Sequence, residues 1–431
     1  MTRLLSWVGF MQRRVFESPA VWLYASQLLA RGYGFLMTLV IARMCGPSSV
    51  GGYSAMLITC SSPTAPMALA MANSSSLMAT EHGRAQGMQR ILWANARNLV
   101  VSALLASAGA GFLLWVSGMN SLPGVPQGFQ WIVALGLVVG MLLAPVTMGM
   151  AHGMGLSRAA AQWVSLVQFA GLLSVYPVVR WGGLSAALIL TMIVTMGPML
   201  VALLGWHGAA AKDALAPLGV LKQEAKHRFQ QALPNVMSTV INNATNWLAC
   251  IYLANRFHGH DGVAVVAVSL QWLALVQLPV SSYSGRLMYD LGVANQAGHA
   301  ALAKVMKRAV IVCVGVTAVM TVLIGCASPW IADLYKLNRD TFVSLLVVGG
   351  GAATLSGVTL VYERVFFCLS SQRPWLLLST LAYLCQLALT FALIPHSILA
   401  VPVGNAVGVA VLAIGVHVYL KGAVFKPSEA I

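Results

Sequence analysis

The sequence predicts an all-α integral membrane protein of about twelve transmembrane helices, arranged as two six-helix bundles. Of its 431 residues, 59% are apolar and only 8% are charged, whereas a soluble protein carries roughly a quarter charged residues. Apolar runs of the roughly 20 residues that cross a bilayer recur along the whole chain. Lys and Arg gather in the short connections between these runs, as in multi-pass membrane proteins. Most of the surface must therefore face hydrocarbon, and no sizeable soluble domain remains.

The distribution of positive charge predicts the orientation of the chain. With a cytoplasmic N-terminus, 19 of the 25 Lys and Arg residues fall inside and 5 outside, and Arg31 lies within the first span. This bias favours twelve spans and a cytoplasmic location of both termini. The basic segment 3–16 is predicted to lie as an amphipathic stretch on the cytoplasmic face, ahead of an uncleaved first span. The predicted spans are 20–42, 50–79, 98–118, 129–151, 161–179, 183–206, 233–255, 264–288, 309–332, 342–369, 375–395 and 398–420.

The two halves of the chain resemble each other. Six spans per half give both copies the same orientation, which implies a pseudo-two-fold axis along the membrane normal and a substrate path between the halves. The predicted organisation is an N-terminal bundle over 1–206, a cytoplasmic linker over 207–232 and a C-terminal bundle over 233–431. The matches are Gly46 with Gly259, Val50 with Val263 and Pro66 with Pro279 at an offset of 213, and Arg158 with Arg373 at 215.

Composition and motifs exclude several classes of function. The net charge of +15 is spread in short clusters and not concentrated on one face, which excludes a nucleic-acid binder. The seven cysteines are isolated and are interpreted as apolar packing residues. His258, His260 and Asp261 are interpreted as part of a hydrated loop and not as a metal site. No phosphate-binding glycine loop, nucleophile elbow or intramembrane His-and-acid group is present, so neither an enzyme nor a cofactor is predicted.

Several stretches resemble the Wzx-type polysaccharide flippases. In the first half these are SQLLAR at 26–31, ARMCGP at 42–47 and GGY at 51–53. The flippases belong to the MOP superfamily, which also holds the multidrug and toxin extruders (MATE transporters) and the lipid II flippases. The resemblance covers essentially the whole chain and implies a MATE/MOP-like fold. The second half adds Leu233-Pro234, Asn242-Asn243, the Gly259 loop, Gln277-Leu278-Pro279, Lys304, Lys307 and Arg308.

The resemblance implies a flippase of the bacterial inner membrane that moves an undecaprenyl-pyrophosphate-linked oligosaccharide to the periplasmic leaflet by alternating access. The implied partners are this lipid-linked oligosaccharide, membrane lipids and a polysaccharide polymerase, with no nucleic acid. Two alternatives remain open, a cation-coupled multidrug exporter and a lipid II flippase. The sequence departs from the pattern at Asn246, where many relatives have an acid, and at Tyr283-Ser284-Gly285-Arg286, where relatives have a proline-serine-arginine element. The first departure argues against proton or cation binding in span seven.

Arg31 is the strongest candidate for a binding residue. It lies near the middle of span one, where an unpaired cation costs roughly 2.5–3.5 kcal/mol on insertion scales. Tyr24, Gln27 and Thr38 are expected on the same helical face, and such a polar stripe is typical of a helix beside a cavity. A guanidinium can bind a pyrophosphate in bidentate fashion and stays charged at any pH. The alternative is a structural role, in which Arg31 pairs with backbone carbonyls of a kinked neighbour.

Amides form a second set of candidates. Asn235, Asn242 and Asn246 follow one another in span seven at intervals of 7 and 4 residues. Such side chains can bind sugar hydroxyls or join helices to one another, and the sequence leaves both interpretations open. Asn73 in span two, Gln277 in span eight and Arg286 near the end of span eight are further candidates. The predicted substrate-binding set is Arg31, Gln27, Asn73, Asn242, Asn246, Gln277 and Arg286, with no catalytic or metal-binding residue.

The positions of the acidic residues bear on what drives transport. All ten fall in predicted loops or near span ends, whereas a proton-driven pump normally keeps a carboxylate within the membrane. A central cation without acids predicts an anionic substrate, because a cationic drug would require buried acids. An anionic headgroup that moves outward gains about 2.3 kcal/mol per charge per 100 mV of inside-negative potential. The hypothesis is therefore that membrane potential and consumption of the product outside drive transport.

Overall fold

The computed structural model describes residues 19–117, 125–205, 217–369 and 372–423, and this part of the chain is helical with short connections. The predicted amphipathic segment 3–16 lies outside the described residues. The helices are α1 (Pro19–Met44), α2 (Pro47–Val116), α3 (Gln127–Gly153), α4 (Ser157–Gly205), α5 (Leu218–Trp247), α6 (Ala254–Gln296), α7 (His299–Tyr335), α8 (Arg339–Cys368), α9 (Gln372–Leu393) and α10 (Ala400–Ala423), with a π-helical segment at Leu248–Leu253 between α5 and α6.

The described helices provide twelve membrane crossings. Ten segments are long and apolar enough to span, and two of these, Ser157–Met199 and Val236–Ser281, have 43 and 46 residues. At 1.5 Å per residue each of these two is about 65 Å long, twice the thickness of the hydrocarbon layer. Each is broken by a glycine with a non-helical positive φ, Gly183 (59°) and Gly259 (67°). Because the chain turns at these glycines, each long segment is two crossings. The prediction of a twelve-span all-α membrane protein is confirmed.

Spans two and three share the helix α2, but the chain folds back within it. The amide nitrogen Nδ2 of Asn95 lies 3.4 Å from Sδ of Met78, although 17 residues of straight helix would separate them by about 25 Å. A Cβ atom added to Gly109 would lie 2.9 Å from Cβ of Pro63. Both pairs are centred near residue 86, so spans two and three pack antiparallel, with the reversal close to where the sequence predicts a connection.

The described chain forms two compact units. The first contains Met1–Gly46 and Met56–Val236 as far as these are described, and the second contains Pro47–Ala55 and Met237–Ile431 on the same terms. The boundary between the units falls inside α5, which runs without interruption from Leu218 into span seven. The predicted linker over 207–232 therefore includes about four helical turns. The sequence predicts a cytoplasmic loop over these turns, whereas the structure forms a helix there.

Within the first unit, α1 packs against α4. The hydroxyl groups of Tyr33 and Thr191 lie 3.1 Å apart, and a Cβ atom on Gly171 would lie 3.3 Å from the ring of Tyr33. The helices approach closely because Gly171 has no side chain at the crossing, as is common between membrane helices. This contact determines which face of α1 is covered.

Within the second unit, span seven and α10 both pack against α9. The hydroxyl groups of Ser238 in span seven and Ser379 in α9 lie 3.2 Å apart. A Cβ atom on Gly404 of α10 would lie 2.8 Å from the carbonyl oxygen of Gln386, and one on Gly408 would lie 2.8 Å from Cβ of the same residue. Two glycines four residues apart thus let α10 approach α9, as in small-xxx-small membrane contacts. Gln386 is therefore held against two neighbouring helices.

Candidate functional site

Arg31 lies on the face of α1 that the first unit leaves open. Tyr33 is 6% exposed and packs against α4, whereas Tyr24, Gln27 and Arg31 are exposed. Because successive residues of a helix are turned by 100°, Arg31 points about 160° away from Tyr33. The three exposed polar side chains follow one another along one side of the helix. They form an open polar face, which consists of Tyr24, Gln27 and Arg31.

Thr38 does not extend this face, contrary to the expectation from sequence. Its side chain is fully buried, and its hydroxyl donates to the carbonyl oxygens of Gly34 at 3.0 Å and Phe35 at 3.1 Å. Helical spacing places Thr38 in line with Arg31, but the second half of α1 is more closely surrounded by neighbouring helices than the first half. The open polar face is therefore confined to the first half of the span.

Arg31 lies at mid-depth in its span. It is 10 residues from the start of Val21–Met44 and 13 from the end, or about 15 and 20 Å. Within the part of the chain that the structure describes, Arg31 makes no hydrogen bond or ion pair. The deepest acid among the described residues is Glu363, five residues before the end of α8. The guanidinium is thus left available for an anionic ligand.

Asn242 and Asn246 meet a third amide in the second unit. The Nδ2 group of Asn246 donates to Oδ1 of Asn242 at 2.9 Å, and Nε2 of Gln386 donates to Oδ1 of Asn246 at 3.1 Å. Gln386 is 2% exposed. The three residues form a chain of hydrogen bonds from span seven to α9, which we call the amide cluster. These hydrogen bonds connect span seven to α9, and the amide groups retain further donors and acceptors.

A small cavity lies beside the amide cluster and is lined in part by Asn246 and Gln386. Four polar side chains reach it from four helices, and the rest of its wall is apolar. Among the lining residues none is charged, so the cavity offers hydrogen bonds to a neutral group and no carboxylate to a cation. The π-helical segment contributes to the wall through Cys250, and π-bulges are frequent at functional sites. The polar lining residues are Asn246, Ser269, Gln386 and Asn405.

Two further predicted residues, Gln277 and Asn73, have described side chains and are not members of this cluster. Gln277 is exposed, and its Nε2 donates to Oγ of Ser356 at 2.6 Å, which joins α6 to α8. Asn73 is exposed on α2 in the first unit. The side chains of Asn235 and Arg286 lie outside the described residues. Of the predicted set, the structure brings Asn242 and Asn246 into direct contact and places Gln27 one turn from Arg31.

Sequence reasoning missed Gln386 and Asn405. Each is a polar residue in the middle of a predicted span, which is the same signal that singled out the asparagines of span seven. The signal was present in the sequence, but a single polar residue per span shows no periodicity. Nothing in the sequence indicates that span eleven lies beside span seven, so the partner of Asn246 was not predictable.

We expect Asn246→Leu to destabilise the protein by about 1–2 kcal/mol, because it leaves the buried amide of Gln386 without its acceptor. Thermal unfolding in detergent measures the effect. The double variant with Gln386→Leu should cost less than the sum of the two single variants, because both partners are then apolar. Asn405→Leu is the control, since Asn405 lines the cavity without a hydrogen bond in the described part of the chain. If the losses of stability caused by the two leucine substitutions simply add, Asn246 and Gln386 do not stabilise the contact between their helices as a pair.

Comparison with known proteins identifies the fold. No family model matches the chain. The EPS I polysaccharide export inner membrane protein EpsE of Ralstonia nicotianae is 25% identical over 203 residues, which cover 42% of this chain and 45% of that protein. The chain thus spans less than half of the length of this curated relative. By its name, the relative exports a polysaccharide.

Solved structures match over nearly the whole chain. An inward-facing multidrug resistance MATE transporter of the MOP superfamily superposes with a TM-score of 0.73 at 14% identity, over 95% of this chain and 100% of that one. A MOP superfamily transporter from Pyrococcus furiosus, described as having a binding pocket of reversed polarity, gives 0.65 at 14% identity over 95% and 98%. The chain has the fold of MOP superfamily transporters, and the resemblance predicted from sequence is confirmed.

Proposed function

We propose, from the premise that the chain folds as a MOP superfamily transporter, that it is a flippase for an undecaprenyl-pyrophosphate-linked oligosaccharide. The observation that carries this proposal is Arg31, a cationic residue at mid-depth of span one, exposed on α1 and without a partner in the described part of the chain. The polysaccharide-export role in the name of the curated relative supports the same substrate class. The cargo would travel from the cytoplasmic to the periplasmic leaflet.

Arg31 has the chemistry that a pyrophosphate headgroup needs. Its planar fork can donate two parallel hydrogen bonds to one phosphate, and it stays charged at any physiological pH. Gln27, one helical turn away on the open polar face, can donate a further hydrogen bond to the headgroup or the first sugar. The polyprenyl tail would stay in the bilayer while the headgroup is held. The protein would alternate between inward- and outward-open states, as transporters built from two repeats do.

The orientation follows from the charges of the connections. We place the protein in the inner membrane with both termini in the cytoplasm, because 19 of its 25 Lys and Arg residues then lie on that side. An inside-negative potential would then favour outward movement of the anionic headgroup by about 2.3 kcal/mol per charge per 100 mV. A polysaccharide polymerase that consumes the product outside would draw the reaction forward.

A cation-coupled multidrug exporter is the second candidate, and the solved structures favour it because several are multidrug transporters. A binding site for cationic drugs needs acids within the membrane. Among the described residues, the acids lie near the ends of spans or outside them. The charge distribution therefore favours the flippase.

Deletion of the gene distinguishes the two candidates. Surface polysaccharide and the lipid-linked intermediate of the cytoplasmic leaflet would be measured together, along with sensitivity to cationic dyes. A flippase predicts loss of polysaccharide and accumulation of the intermediate, both reversed by the wild-type gene, together with unchanged dye sensitivity. Normal polysaccharide combined with new dye sensitivity would overturn the proposal in favour of the exporter.

A further inference from the structure

The first four turns of α5 form an amphipathic helix on the first unit. Leu221 and Ala225 are fully buried, whereas Lys222 and Lys226 are exposed one turn apart, about 100° around the helix from the buried pair. Neither lysine makes a hydrogen bond or ion pair in the described part of the chain. We call these two lysines with their intervening surface the basic face of α5. The buried side packs in a cluster with Met71, Met78, Ala79, Ile91, Ala94, Val146 and Met150.

An ion-pair network fixes the depth of this helix. Arg228 pairs with Glu81 at 2.5 Å and with Glu224 at 2.7 Å. Partial desolvation opposes its charge, but the hydrogen bonds to the two carboxylates outweigh this and raise the pKa of Arg228 above its usual value. Glu81 lies about five residues before the reversal between spans two and three near residue 86. Arg228 therefore lies close to the ends of these two spans.

The basic face lies next to these span ends. Lys226 precedes Arg228 by two residues and Lys222 precedes it by six, at most about 3 and 9 Å along the helix. The headgroup layer on each side of a bilayer is roughly 5–7 Å thick, and a lysine side chain can extend toward it, so both ammonium groups are within reach of lipid phosphates. Trp93, 63% exposed near the start of the span Gln89–Val116, marks the same interface. Its neighbour Leu92 packs against the same cluster as Leu221.

The local charge also favours an anionic ligand. The two acids near the basic face, Glu81 and Glu224, are both engaged by Arg228. Lys222 and Lys226 are thus free of acidic competitors within the described residues, and Arg97, exposed one turn after Trp93, adds positive charge at this end of the unit. A lysine near a membrane surface contributes about 1 kcal/mol of attraction to anionic lipid.

We propose that the basic face of α5 is a binding surface for the phosphate headgroups of anionic phospholipids. The binding holds the connecting helix at the membrane surface while its continuation crosses the bilayer as span seven. The ligand is a lipid of the surrounding leaflet and not the transported cargo, so this proposal does not depend on the proposed function.

The test uses the full-length protein in nanodiscs of phosphatidylcholine, titrated with phosphatidylglycerol and followed by native mass spectrometry and thermal unfolding. The double variant Lys222→Gln with Lys226→Gln should bind phosphatidylglycerol about 30-fold more weakly, from about 1 kcal/mol for each lysine. Its melting temperature in pure phosphatidylcholine should equal that of the wild type, because both side chains are exposed. The arginine pair, Lys222→Arg with Lys226→Arg, should retain the affinity.

The matched control is Lys336→Gln with Arg339→Gln, two exposed cations where α7 ends and α8 begins. This pair should leave the affinity for phosphatidylglycerol at the basic face unchanged. The proposal is overturned if the Lys222 and Lys226 double variant binds phosphatidylglycerol as tightly as the wild type does. It is also overturned if added phosphatidylcholine raises the melting temperature of the wild type as much as phosphatidylglycerol does. Flippase activity is measured separately, so its loss or presence does not decide this result.

Discussion

Arg31→Ala should lower the rate of flipping by about a hundredfold or more. A hydrogen bond to a charged group contributes about 1.5–3 kcal/mol, and a bidentate guanidinium–phosphate pair has two of them. Arg31→Lys should retain part of the activity, because a lysine keeps the charge but cannot form the planar fork. The measurement is the initial rate at which the lipid-linked oligosaccharide crosses proteoliposomes that contain each variant. Complementation of the deletion strain provides a second readout.

The matched control for this series is Arg97→Ala. Arg97 is also an exposed arginine within a candidate membrane span, eight residues from the start of Gln89–Val116, but it lies one turn from the exposed Trp93 and outside the open polar face of α1. Its removal should leave the flipping rate within about twofold of the wild type, because surface substitutions are usually close to neutral. The headgroup role of Arg31 is refuted if Arg31→Ala, folded to the same extent, flips the substrate as fast as the wild type.

Gly51→Ala should destabilise the protein severely, by about 3 kcal/mol or more. An added Cβ atom would overlap the carbonyl oxygen of His260 and lie 2.9 Å from its carbonyl carbon and 3.3 Å from the backbone nitrogen of Ala264. These are backbone atoms of α6, which cannot turn aside as a flexible side chain can. Overpacking of this kind forces a backbone shift. Thermal unfolding and the yield of monodisperse protein in detergent measure the loss.

Gly292→Ala serves as the control for Gly51→Ala. Gly292 lies in α6, the same helix as His260, and an added Cβ atom would meet nothing within 4 Å. Alanine is favoured over glycine in a helix by up to about 1 kcal/mol, so this variant should be as stable as the wild type or slightly more stable. If Gly51→Ala melts at the same temperature as the control, the helical segments that contain Gly51 and His260 can move apart at little cost.

The weak internal repeat in the sequence pairs two glycines that have similar backbone conformations in the structure. The alignment pairs Gly46 with Gly259, and both have a positive φ, 92° and 67°. One residue ends the connection before α2, and the other breaks the long segment between spans seven and eight. The repeat was readable because a turn between two spans requires a particular backbone conformation, and glycine is the residue that adopts it most easily. The extent of each bundle remains a prediction.

The order of residues along the chain was sufficient to predict the membrane fold, the number of spans and the central position of Arg31 in span one. These properties depend on local quantities, namely the length of apolar runs and the cost of a charge within them. Only the tertiary structure decided that Thr38 is covered while Gln27 is open, since helical spacing alone places both on the face of Arg31. It also decided that Asn246 bonds to Gln386, 140 residues away. Which helices are neighbours depends on long-range packing, and the pattern of residues within one span does not indicate which other span packs against it.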